Sequence, residues 1–310
     1  MNQKFVKVFC FQIYTPKMDA KRSLYKEERY DSEQFELFLD VLSKQDIADI
    51  GWDNNGKFLV LENFTVSDDS DFVEGFFTSG RYGQVSDYRH RKTFARRKSN
   101  KTRDEGEENV IHFVIERKSG KLFLQSDGQR LVSKNSIDLY LRSNMDLFED
   151  QIKLINKRIK PLMITESKTF FIIKTIYTSD FYNEIRKLMR IKKATFMIKH
   201  DVDVDNDIVK VMRNKADKVQ GADQFHYSIV NKERGGGMNR VDDFIKYHEE
   251  LDKYENIIVE GPNVAGRTKA VKLEDHAKDF DVKVSVNENG VISSTDLING
   301  IISTVKKGAY

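Results

Sequence analysis

The sequence contains one cysteine, three prolines and one tryptophan in 310 residues. A lone Cys10 excludes a disulfide framework and any cysteine-based zinc site. So few prolines, beside 17 glycines, exclude collagenous and low-complexity chains. No apolar run approaches the roughly 18–20 residues that a membrane-spanning helix needs. The longest apolar stretches surround Phe170–Ile173 and Ile257–Val259. Met1–Phe11 alternates and lacks the apolar centre of a signal peptide. A soluble cytoplasmic protein without membrane insertion is therefore expected. An excess of one charge is also missing: 52 basic and 49 acidic residues leave a net charge of +3. Bulk charge thus implies no nucleic-acid partner, although its distribution can.

What is present is charge and aromatic bulk. Charged residues make up 33% of the chain, against about 25% in ordinary soluble proteins. The 21 Phe and 12 Tyr supply enough apolar surface for real cores, which argues against disorder. At about 150 residues per domain, the length predicts two domains. Richness in Lys, Asn, Ile, Asp and Phe suggests an AT-rich bacterial or mobile-element gene. A place in a bacterial complex, such as a defence system against phage, is the expectation from that context.

Periodicity organises the chain. Residues 4–14 alternate as a strand. Ser32 offers an N-cap to a helix carrying Phe35, Phe38, Leu39 and Leu42 at helical spacing. Asn54-Asn55-Gly56 predicts a hairpin between Ile47–Trp52 and Phe58–Phe64. A strand is expected at Phe72–Thr78. Val110–Ile115 and Leu122–Gln125 flank Lys118-Ser119-Gly120 as a second hairpin. One long helix is expected from Ser133 or Ser136, ended by Pro161. Beyond it, strands at 170–177, 194–199, 225–231, 257–260, 268–273 and 282–286 alternate with helices capped near Asp180, Asp207, Asn239 and Thr295. The prediction is an α+β fold: two α/β units, 1–161 and 162–310, with antiparallel or mixed sheets flanked by helices.

The most informative stretch is Arg81–Arg103. Nine basic residues, Arg81, Arg89, Arg91, Lys92, Arg96, Arg97, Lys98, Lys101 and Arg103, face one acid, Asp87. Tyr82, Tyr88, His90 and Phe94 are interleaved. Cations neutralise phosphates and release counterions, and aromatic rings stack on unpaired bases. The competing reading is a solvated loop or a protein-binding surface, since Asp104, Glu105, Glu107 and Glu108 follow at once.

A second basic segment, Lys232 to Arg240, places Arg234 and Arg240 around Gly235-Gly236-Gly237 before an expected helix. Glycines allow close backbone approach and a helix N-terminus attracts anions, which suits a phosphate. A plain strand-to-helix connection accounts for the same residues. Gly261 to Thr268 nearly matches a phosphate-binding loop, but Arg267 replaces the lysine and a strand follows where a helix is required. A polar turn is the better reading.

Asp201, Asp203 and Asp205 alternate beside His200. On an extended strand they would share a face able to hold Mg²⁺ or Mn²⁺ for phosphodiester hydrolysis. Capping of the next helix explains them without a metal. Glu116-Arg117-Lys118 reads as exposed charge at a hairpin end. The six histidines lack metal-ligand spacing, and His112 and His226 read as satisfied structural residues within apolar strands. Cys10 reads as buried and inert.

The leading expectation is a binding protein that engages a nucleic-acid backbone through Arg89, Arg91, Lys92, Arg96, Arg97, Lys98, Lys101 and Arg103, assisted by Arg234 and Arg240. The alternatives are a metal-dependent nuclease using the acidic cluster, and a protein-interaction scaffold or inhibitor with a protein partner or a second copy of itself. No cofactor and no metal site is expected from the motifs.

Overall fold

In the computed structural model, residues 2–19, 25–26, 30–53, 56–83, 85, 87–129, 131–158, 163–167, 170–199, 224–232 and 256–310 are described. The fold is α+β, and every strand pair with a defined register is antiparallel.

The chain forms two compact units. The first comprises Met1–Lys174 with Asp279–Tyr310, and the second Thr175–Lys278. This division differs from a single boundary near Pro161, because the last strand returns to the first. That strand, β17 (Asp279–Val286), pairs with β1 (Asn2–Tyr14) from Asn2↔Val286 to Phe9↔Asp279. A contact between the two ends of a chain leaves no trace in local periodicity.

The first unit is built on an eight-stranded sheet. Its strands include β4 (Trp52–Asp53), β5 (Lys57–Val66), β6 (Phe72–Arg81), β9 (Asn109–Glu116), β10 (Lys121–Gln125) and β12 (Ile172–Thr175). The order is β12-β1-β10-β9-β6-β5-β4, with β17 also on β1. Alternation assigns the faces. Phe11, Ile13, Ile111, Phe113, Ile115, Leu122 and Leu124 join one core. It is filled by α1 (Ser32–Ser43), α3 (Lys134–Ser143) and α4 (Glu149–Arg158). Phe38 contacts Phe35, Phe148, Phe170 and Phe171, each within 6.3 Å between ring centroids. Such pairs add about 0.5–1.5 kcal/mol each beyond area burial.

The opposite face, with buried Val114, Phe123, Val282 and Val284, is covered by α6 (Ser294–Lys306). Both faces are thus buried, which is why β9 and β10 read as almost continuous apolar runs. Cys10 is buried there, as its sequence neighbourhood predicts.

Several local details depart from the sequence reading, among them the cap of α6, which is Ser293 and not Thr295. Asp31, not Ser32, caps α1, its carboxylate accepting from the Gln34 N–H at 3.2 Å. Ile47–Ile50 forms one helical turn, α2, instead of a strand, because Asp46 accepts from the Ala48 N–H at 2.9 Å. The long helix is broken by a 3-10 turn at Met145–Phe148. Ser143 and Asn144 each hydrogen-bond back to the Tyr140 carbonyl, at 2.8 and 3.0 Å. Short polar side chains compete with the helical ladder in this way. A small sheet joins β11 (Met163–Ile164), β2 (Lys17–Asp19) and β3 (Tyr25–Lys26).

The second unit has a four-stranded sheet in the order β14 (Gln224–Val230), β13 (Lys193–Lys199), β15 (Asn256–Pro262), β16 (Thr268–Lys272). Phe181 and Ile185 of α5 (Asp180–Arg186) pack with Ala194, Phe196, Ile257 and Val259. His226 lies on β14 and is exposed, so it is no core residue. Among the described residues, no helix is long and apolar enough to cross a membrane.

Candidate nucleic-acid interface

β6 and β9 are neighbours in the first sheet, paired from Phe72↔Glu116 to Ser79↔Asn109. Residues 82–108 therefore leave the sheet and return to it as an arm between adjacent strands. No described residue of that arm is buried. Loops of this length without a core of their own are uncommon and usually functional or disordered. This one carries its own ribbon, β7 (Tyr88–Arg89) paired with β8 (Arg96–Arg97).

The root is tied to the sheet. Tyr82 N–H donates to Gly56 O at 2.8 Å, and the Tyr82 ring stacks on Phe58 at 4.9 Å. Gly83 N–H donates to Arg103 O at 2.8 Å, closing the neck. Gly80 lies so close to the returning chain that a Cβ would sit 2.4 Å from Glu107 O. On the sheet side of the neck, Asn109 and Asp127 fix the exit: Asn109 Nδ2 donates to Asp127 Oδ1 at 2.7 Å. The buried Asp127 carboxylate also accepts from the N–H groups of Gln129, Leu131 and Val132. Sequence reasoning missed Asp127, whose only local signal is a short polar residue before Gly128.

The tip turn follows from hydrogen bonds within it. His90 N–H donates to Ala95 O at 2.9 Å, and Phe94 N–H to His90 O at 2.8 Å. His90 Nδ1 accepts from the Thr93 N–H at 3.1 Å. Phe94 adopts φ +57°, the only non-glycine among the described residues in the left-handed region. An aromatic residue is a poor choice there, and such strain concentrates at functional positions. Phe94 is 68% exposed, and its ring meets no other ring or cation among the described residues.

The neck sorts the charges. Asp104, Glu105, Glu107 and Glu108 lie on the root side of the Gly83–Arg103 contact. Arg89, Arg91, Lys92, Arg96, Arg97, Lys98 and Lys101 lie beyond it, with Asp87 as the one described acid among them. Glu105 is engaged locally, accepting from the Thr102 N–H at 2.6 Å, which holds its carboxyl below the usual range. Among the described residues, the arm's one ion pair joins Arg96 and Asp87 at 2.5 Å. Among the described residues, no ion pair joins the acidic run to the ribbon. Arg89 and Arg96 face each other directly in register, an unfavourable pairing of like charges. Arg97 lies over the Tyr88 ring at 5.1 Å, a cation–π contact. Of the four interleaved aromatics, Tyr82 serves the root, Tyr88 holds Arg97 and His90 braces the turn. Phe94 alone is left uncommitted.

The other candidates separate cleanly. Arg234 and Arg240 lie outside the described residues, as do Asp201, Asp203 and Asp205. Gly261–Thr268 is a hairpin turn between β15 and β16: Asn263 Oδ1 accepts from the Ala265 and Arg267 N–H groups, both at 3.0 Å. Arg117 is tied down, donating to Glu36 at 2.9 Å and to Ser70 O at 3.0 Å. Glu36 holds its guanidinium above the usual range. Among the described residues, no group of His, Cys, Asp and Glu could hold a metal ion. No family model matches the chain, and no curated protein resembles it closely enough to count as a relative.

Proposed function

We propose that the protein binds nucleic acid through the arm formed by residues 82–108. The observation that carries this reading is the segregation of charge. Seven cations with a single described ion pair lie beyond the neck, on a ribbon with no buried residue, while the acids remain at the root. Solvated cations at this density attract a polyanion, and release of its counterions supplies the free energy. The contact is mostly independent of sequence, because phosphates carry no base identity. Phe94 at the tip offers a face on which one unpaired base can stack. The protein belongs to the binding class; assembly into a larger bacterial complex is compatible with a protruding arm.

The test is the affinity of the purified protein for a fluorescent oligonucleotide across a salt series. A steep loss of affinity with salt is expected, with a log–log slope of about −4.5 to −6.3 for contacts by five to seven cations on a duplex. Replacing Arg91, Lys92, Arg96, Arg97 and Lys98 together by Ala should lower affinity by about 10³-fold at low salt. Since none of these residues is buried, the melting temperature should hold. Unchanged binding by that variant would reject the arm as the interface.

A further inference from the structure

A cavity of about 280 Å³ opens on the face of the first sheet that α6 covers. Asn63, Asp68, Glu74, Phe76 and His112 line it from the sheet side, and Asn299 from the helix. Two features of the backbone and core build it.

The first is a β-bulge. The β5–β6 register slips between Leu61 and Asn63, so that Leu61 faces Phe77 while Asn63 faces Phe76. Without the extra residue, Asn63 would point with Leu61 into the apolar core. The bulge turns it to the cavity instead, a common use of bulges near binding sites. At the bulge, Leu61 N–H donates to Tyr140 Oη at 2.9 Å. Tyr140 is fully buried in α3, and burial pushes its hydroxyl up to about 12, so it stays a neutral partner.

The second is His112, only 5% exposed. Its own N–H and its Nδ1 both meet the Gln125 side-chain oxygen, at 3.0 and 2.9 Å. A backbone N–H can only donate, so the atom it meets is an acceptor, and Nδ1 must carry the ring proton. Nε2 is then a bare lone pair on a ring that lines the cavity, with no partner among the described residues. Burial lowers the histidine's tendency to protonate, which keeps the ring neutral near pH 7.

The cavity is lined by two carboxylates, two side-chain amides, an imidazole nitrogen and the hydroxyls of Ser67, Ser294 and Thr295, and its only formal charges are negative. No Lys or Arg lines it. We infer that the cavity binds a small organic cation bearing several N–H donors, of the ammonium or guanidinium class. The Glu74 and Asp68 carboxylates would balance its charge, the His112 Nε2 and the amide oxygens would accept its N–H groups, and the Phe76 ring would offer a cation–π face. This site is independent of the arm.

The experiment is calorimetric titration of the full chain at pH 7.5 with agmatine, putrescine and, as the uncharged analogue, 1,4-butanediol. Saturable binding of agmatine or putrescine is expected, with none for the diol. Glu74→Gln and, separately, Asp68→Asn should each weaken it tenfold or more at an unchanged melting temperature, whereas the arm variant should bind as the wild type does. Asp68 lies in the β5–β6 turn outside the core, so its variant keeps the test open should Glu74→Gln fail to fold. Absence of saturable binding by both cations, equal binding of the diol, or undiminished affinity in the folded carboxylate variants would overturn the inference.

Discussion

Two connections in the same sheet handle similar charge in opposite ways. β9 joins β10 through Arg117–Gly120, and β6 joins β9 through residues 82–108. In the short turn most groups are occupied, with Lys118 the exposed exception. Arg117 bridges to Glu36 and Ser70, Ser119 O accepts from Gln12, and Gly120 O accepts from Ile13 N–H. In the long arm, seven cations beyond the neck share one described ion pair. Charge that folding uses is charge with a partner at hydrogen-bond distance. Charge that folding leaves over, on a segment whose root is nonetheless fixed, is available for something outside the molecule.

Substitutions in each connection break or sharpen that contrast. Removing the arm's charges is the largest expected effect on binding, about 10³-fold, with little effect on stability. Gly120→Ala is its mirror image. Gly120 has φ +73°, and an added Cβ would lie 2.4 Å from the Tyr30 side chain. A loss of about 2 kcal/mol or more is expected in denaturant unfolding, with oligonucleotide affinity unchanged. Equal stability of the variant would mean that the short turn is less constrained than its contacts imply.

Phe94→Gly comes next. Glycine accepts the left-handed turn freely, so the ribbon should persist. Affinity for a single strand should fall by about 5- to 160-fold, matching the roughly 1–3 kcal/mol of one stacked base. Affinity for a duplex of the same length should change little. Equal losses on both substrates would remove stacking from the proposal and leave the electrostatic contact in place. Arg117→Ala should have the smallest effect, about 1 kcal/mol of stability, because the guanidinium is one-third exposed and solvent screens its pair with Glu36. A drop in nucleic-acid binding in that variant would blur the division between the two connections.

Much of the secondary structure was legible because burial imposes a period. Phe35, Phe38, Leu39 and Leu42 mark α1, and Ser133 caps α3 through its bond with the Ser136 N–H, as their spacing predicts. The errors fall where a short polar side chain redirects the backbone, at Asp46 and at Ser143-Asn144. The arm's basic residues were equally visible. Whether the acids beside them cancelled their charge was not, since adjacency in sequence does not say which side of a neck a residue occupies. The cavity was invisible: a one-residue slip at Leu61–Asn63 has no compositional mark, and His112 reads like any histidine in an apolar strand.

The sequence by itself determined the α+β class, the strands and helices with strong periodicity, the burial of Cys10 and the concentration of cations between Arg81 and Arg103. These depend on residue type and on spacing within one element, where side-chain period and capping chemistry act locally. Only the tertiary structure decided that the last strand completes the sheet begun by the first, that the Gly83–Arg103 contact separates acids from cations, and that Gln125 fixes the tautomer of His112. Each of these depends on pairing between residues far apart in the chain, and the free energy of such pairing is set by the packed sheet rather than by either residue's neighbours.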